Sequence, residues 1–130
     1  MSASNYLETS ILNCFLGYNF SKSSVYLALF KTPASETSGG EEPSDPQYER
    51  QRITFSNPVQ PSSAPAYITN ENRILSKAAN ASWGNIVGYG LFDAKTGGNL
   101  LIYGQLDSPK RVLTGEKFSV EPRDLRVNLD

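Results

Sequence analysis

The sequence predicts a mainly β protein: a β-sandwich or jelly-roll-like domain of about seven or eight strands that carries one amino-terminal α-helix. Three observations predict it. Apolar residues recur at helical spacing in one stretch near the start. From Val25 onward, short runs rich in Val, Ile, Leu, Tyr and Phe alternate with Gly-, Pro- and Ser-rich breaks. The chain of 130 residues, 38% hydrophobic and 19% charged with a net charge of -1, has the size of one ordinary domain and enough apolar surface for a core. A single domain over 1–130 is expected, with the helix at about 6–16 and the sandwich at about 25–130.

Asn5 followed by Glu8 fits a capping box with Asn5 as the cap, and Leu7, Ile11, Leu12 and Phe15 then follow at helical spacing until Gly17 offers a stop. A helix of about eleven residues is marginal alone in water, so this stripe is expected to dock on the sandwich or on a neighbouring subunit. Val25–Phe30 is apolar on both alternating faces, the pattern of a central strand covered on both sides. Lys31 to Gln47 is polar, acidic and broken by three prolines, and reads as a long loop. Tyr48–Phe55 returns to extended structure, placing Arg50 and Arg52 on one face and Ile53 and Phe55 on the other. Asn57–Pro65 is a second Pro/Ser-rich stretch. It leads to short or edge strands at Ala66–Ile68 and Arg73–Ser76.

Trp83–Asp93 and Asn99–Leu106, joined by Ala94-Lys95-Thr96-Gly97-Gly98, form a β-hairpin whose glycines permit positive φ. A turn at Asp107–Lys110 should separate it from further strands at Arg111–Leu113, Lys117–Val120 and Leu125–Leu129. Gly84, Gly88 and Gly90 lie inside the hairpin run with no Lys-Ser/Thr or helix start after them. They mark a bulge or a close approach rather than a phosphate loop.

The chain has no histidine and one cysteine, which excludes Ser-His-Asp and Cys-His nucleophiles and His-ligated zinc. Cys14 has no partner for an intramolecular disulfide and stands among apolar neighbours, so a buried thiol is expected. No strongly basic balance exists to collect phosphates, and no run reaches the roughly 20 apolar residues of a membrane span. Neither nucleic-acid binding nor membrane insertion is expected. The start has neither the charge nor the apolar run of a secretory signal, and no lipidation motif. The acceptor patterns Asn19-Phe20-Ser21 and Asn80-Ala81-Ser82 are accordingly read as chance matches.

The remaining candidates for chemistry are carboxylates. Glu41, Glu42, Asp45 and Glu49 supply hard oxygen ligands or an acid pair, but their spacing fits no calcium loop and fixes no catalytic separation, so a solvated acidic loop is the expectation. No catalytic residue, metal site or cofactor is assigned. Arg50 and Arg52, with Glu41, Glu42 and Asp45, are the candidate partner contacts. Trp83, Tyr89, Phe92 and Tyr103 would suit either a sugar platform or the core. Trp83, Phe92, Leu27 and Leu29 are assigned to the core.

Several segments together resemble a family. Ser4-Asn5-Tyr6-Leu7-Glu8, Val25–Phe30, Tyr48–Gln51 with Ile53–Phe55, Ala81–Gly84, Gly90–Ala94, Thr96–Leu101 and Asp124–Asp130 are similar, in order and spacing, to small virion proteins of tailed bacteriophages labelled tail fibre proteins. The resemblance covers nearly the whole chain. It implies a non-enzymatic assembly protein, on the tail and its fibres or as a capsid decoration, assembled in the host bacterial cytoplasm beside other virion proteins. It also implies a homo-oligomer, with a trimer favoured. The Lys31–Gln47 loop, whose Pro-rich acidic sequence departs from the family, is the expected contact on its own account, because a structureless excursion of that length in a compact domain calls for a partner. The alternative is a carbohydrate- or receptor-binding module for a host surface glycan. A carboxylate glycosidase is a distant third.

Overall fold

In the computed structural model, which describes residues 1–20 and 24–128, the chain forms β1 (Ser2–Ala3), α1 (Asn5–Phe15), β2 (Val25–Phe30), β3 (Gln51–Ile53), β4 (Tyr67–Thr69), β5 (Ile74–Leu75), β6 (Gly84–Phe92), β7 (Leu100–Val112), β8 (Ser119–Val120) and β9 (Arg126–Asn128). It is mainly β, with nine strands among the described residues. Leu129 and Ser21, which figured in the strand and acceptor-pattern readings, lie outside the described residues. No helix among the described residues is long and apolar enough to cross a membrane.

Five strands make one antiparallel sheet in the order β1-β7-β6-β2-β3, and β4 pairs with β9 and β5 with β8 in two small sheets. β2 is inside the large sheet, as its two apolar faces require. Leu27 and Leu29 turn one way into a cluster with Leu91 and Leu101, completed across the core by Ile74, Phe118, Leu125 and Val127 from the small sheets and their approaches. Ala28 and Phe30 turn the other way and pack with Phe92 and Leu100. Phe30 and Phe92 meet edge to face at 6.2 Å. Ala28 faces Gly90 across the strands, and a Cβ on Gly90 would stand 2.7 Å from the Phe30 ring. Glycine there is a close-approach residue: its bare backbone leaves the space that Phe30 fills.

The predicted turn at Asp107–Lys110 is instead an irregularity within one strand. From Gly88 to Ile86 β6 advances two residues, while from Gln105 to Lys110 β7 advances five. The turn-forming Asp107-Ser108-Pro109 is thus bulged out of a ladder that resumes on either side, and proline costs little where no ladder bond is made. The expected strand over Tyr48–Phe55 is shorter, Gln51–Ile53, with a separate bridge from Phe55 to Asn70.

The helix differs from expectation in three ways. Ser4, not Asn5, is its cap: the Ser4 Oγ accepts from the Leu7 N–H at 3.2 Å and donates to the Leu100 carbonyl, while the Ser4 N–H bonds the Leu101 carbonyl at 2.8 Å. Pairing of β1 with β7 fixes Ser4 before the helix begins, so tertiary contact selects the cap. The stripe is buried only at its start, with Leu7 inside, Ile11 half-buried, and Leu12 and Phe15 exposed. Cys14 is exposed rather than buried, its Sγ donating to the Ser10 carbonyl at 3.3 Å. Gly17, at φ 94°, closes the helix: its N–H reaches the Cys14 carbonyl and that of Tyr18 the Asn13 carbonyl, the left-handed ending that glycine favours.

Candidate functional site

Two features hold the residues of interest: a half-buried polar cluster where the acidic loop meets the hairpin, and an apolar surface along α1. The loop leaves β2 at Lys31 and is closed by the Lys31 N–H on the Glu41 carbonyl at 2.7 Å. Its closed part lies over the second face of the sheet, with Ala34 against the Phe30 cluster and Gly39 against the edges of the Phe30 and Phe92 rings. A structureless excursion of this length would carry unsatisfied backbone if buried, and here internal bonds supply the partners. The Ser35 N–H meets the Ser38 carbonyl, and the Glu36 carbonyl accepts from the Asn5 N–H.

Beyond that closure the chain turns its polar side chains inward. Asp45 is buried. Its Oδ2 accepts from Trp83 Nε1 at 2.9 Å and from the N–H groups of Asn80 and Ala81, and its Oδ1 accepts from the Gln47 N–H. Partial burial pushes the Asp45 carboxyl up, but the bonds from Trp83, Gln47, Ala81 and Asn80 outweigh it and hold the group below its ordinary value of 3.8. Trp83, 2% exposed, meets Tyr48 edge to face at 5.4 Å. The Tyr48 hydroxyl donates to Glu42 Oε1 at 2.6 Å and accepts from the Leu29 N–H at 3.1 Å. Burial and the Glu42 hydrogen bond push this phenol well above its ordinary value of 10.0, so it stays a donor.

Glu42 then takes a two-point contact from Arg50, Nε to Oε1 at 3.1 Å and Nη2 to Oε2 at 3.0 Å. Arg50 Nη1 donates to the carbonyls of Ala94 and Gly97 in the hairpin turn, and the guanidinium lies 3.7 Å above the Phe92 ring centre. Arg50 is 9% exposed, whereas Arg52, two residues on, is exposed. The reading that both share one solvent face does not hold. Residues before Gln51 are outside the strand, and Glu42 together with the turn carbonyls of Ala94 and Gly97 supplies acceptors for the planar donor fork of Arg50. Glu41 is exposed and paired with Lys31 at 3.2 Å. Glu49 sits between Lys95 and Lys77, which hold its carboxyl below the ordinary 4.5.

The solvated-loop expectation is therefore corrected: each of these four carboxylates has a partner of its own, and Asp45 and Glu42 work inside the molecule. What the cluster does chemically is tie the loop to β6 and to the hairpin turn. No group of three or more His, Cys, Asp or Glu among the described residues is placed to hold a metal ion. Sequence reasoning missed Tyr48 and the two turn carbonyls, because Asp45 and Trp83 are 38 residues apart and Arg50 and Gly97 are 47 apart. No local pattern reports such pairs.

The second feature is apolar. A groove of about 570 Å³ opens beside α1, lined by Leu7, Ile11, Phe55, Tyr67, Ile68 and Val127 among others, and none of the described residues that line it is charged. Towards the end of the helix and just beyond it, Leu12, Phe15, Leu16 and Tyr18 stand 63%, 86%, 75% and 67% exposed. A sequence signal for this surface exists: Thr9 to Phe20 contains no charged residue, although an exposed helix face ordinarily carries them. Trp83 and Phe92 are buried, and Tyr89 and Tyr103 are half-buried, so these four aromatics lie with the core and not on an open platform.

Comparison with curated proteins finds no match. A family model described as podophage GP4 fiber I protein gp80 matches residues 2–128, nearly the full length, and by that match the chain belongs to this family of phage fibre proteins.

Proposed function

We propose that the chain is a non-enzymatic structural subunit of a phage tail fibre, built into the virion by contacts with copies of itself and with other virion proteins. The observation that carries this reading is the use made of the acidic groups. Asp45, buried, and Glu42, half-buried, the inward candidates for acid chemistry, are each held by partners that fasten the loop to the hairpin, so their charge serves rigidity. A fibre subunit needs a stiff module with an apolar surface for its neighbours, and the α1 surface offers one. Family membership favours the fibre over a capsid decoration. Glu41 and Arg52, exposed on the loop and on β3, are the remaining members of the sequence-assigned contact set that face outward.

The glycan-binding alternative has less support, because the Trp83 indole N–H, the group best suited to a sugar hydroxyl, is already bonded to Asp45. Gold-labelled antibody against the chain, applied to intact particles, tests the proposal. Label on the tail apparatus is expected. Label confined to the capsid, or a chain found in lysate and missing from particles, overturns it.

A further inference from the structure

We propose that the α1 end of one copy docks in the apolar groove of a second copy, with Phe15 and Leu16 seated against Ile68 and Val127. This deepens the fibre-subunit reading and rests on it. The groove excludes most occupants by its chemistry. A glycan or an anionic ligand needs polar groups to orient it, and the described residues of the lining offer no charged side chain; a volume of about 570 Å³ is in the range that encloses a sizeable apolar ligand.

The same chain carries the matching insert. Leu12, Phe15 and Leu16 lie three and four residues apart and so share one helix face. With Tyr18 they expose on the order of 500 Å² of apolar surface, a large share of the roughly 800 Å² that each partner buries in a standard interface. Groove and insert are also continuous: Leu7 and Ile11 line the groove, and Phe15 extends that row one turn further. Because Thr9 to Phe20 carries no charge, docking strands no ion in an apolar site, the main penalty such a contact would otherwise meet. An insert and a receiving surface on one chain give either a two-fold pair or a head-to-tail ring, depending on the rotation between copies.

The test uses sedimentation velocity on the full chain and two surface variants. Wild type should sediment as a discrete oligomer. Phe15→Glu/Leu16→Glu, at exposed positions, and Ala66→Arg, at the groove wall, should each sediment as monomers with an unchanged unfolding midpoint; Pro58→Arg replaces Ala66→Arg if that midpoint falls. Mixing an insert variant with a groove variant should restore a one-to-one pair, since one intact insert then meets one intact groove. A monomeric wild type, variants that keep the wild-type mass, or a mixture that stays monomeric overturns the proposal. A monomeric chain that still labels the tail would end this inference and leave the fibre-subunit reading standing, whereas an oligomer missing from particles would do the reverse.

Discussion

Asp45 and Trp83 form the tightest link between the loop and the sheet. Replacing Trp83 with alanine removes a fully buried ring, its contact with Tyr48 and one donor to Asp45. Large-to-small changes of this type cost about 3–5 kcal/mol, and denaturant unfolding of Trp83→Ala should show a loss of that order; an unchanged midpoint would contradict the packing described. Asp45 adds a pH dependence. Its folded-state value is held below the ordinary 3.8, so the stability it contributes is fully present above about pH 4 and is lost as pH falls through the folded value. Glu49, lowered by Lys95 and Lys77, acts in the same direction. Melting temperatures measured from pH 6 to pH 2 should fall on the acid side, and Asp45→Asn, which keeps a carbonyl acceptor but does not titrate, should fall less steeply. Parallel acid limbs for the two proteins would show that the carboxylate is not held by these bonds.

At the scale of elements, the two faces of β2 and the register of the hairpin set the packing, and Gly90 is where both meet. A methyl group there would contact the Phe30 ring at 2.7 Å and Leu100 Cδ1 at 2.9 Å, both in the cluster that the loop covers. Gly90→Ala is expected to cost about 1–3 kcal/mol, the range for overfilling a packed core, and thermal unfolding checks it; a neutral substitution would mean that Phe30 has room to move. β2 and the hairpin were legible in the sequence because each is specified by its own alternation and turn residues. The α1 cap was not. Asn5 and Glu8 satisfied a local rule, but β1 had already placed Ser4 on β7. The bulge at Asp107–Pro109 was misread for a related reason, since residues that make a turn also make a bulge when a ladder continues past them. The Asp45–Trp83 and Arg50–Gly97 ties join distant parts of the chain, so composition showed an acidic loop and gave no sign that Asp45 and Glu42 point inward.

Over the whole molecule, one region is polar and closed while another is apolar and open. Loop and hairpin are fastened through Asp45, Glu42 and Arg50, leaving Glu41 and Arg52 outward; the α1 end and the groove beside it carry the exposed apolar surface. Such an asymmetric surface suits a subunit that packs against neighbours through one region and stays rigid in another. The sequence expectation that the Lys31–Gln47 loop makes the intersubunit contact, in a trimer, now competes with the α1 end as the contact. Electron cryomicroscopy of intact particles tests the central claim most directly. Density for this fold is expected in the tail fibres, with Leu12, Phe15 and Leu16 covered by an adjoining chain. Density for it on the capsid alone, or in the fibres with the α1 end bare to solvent, would contradict the account.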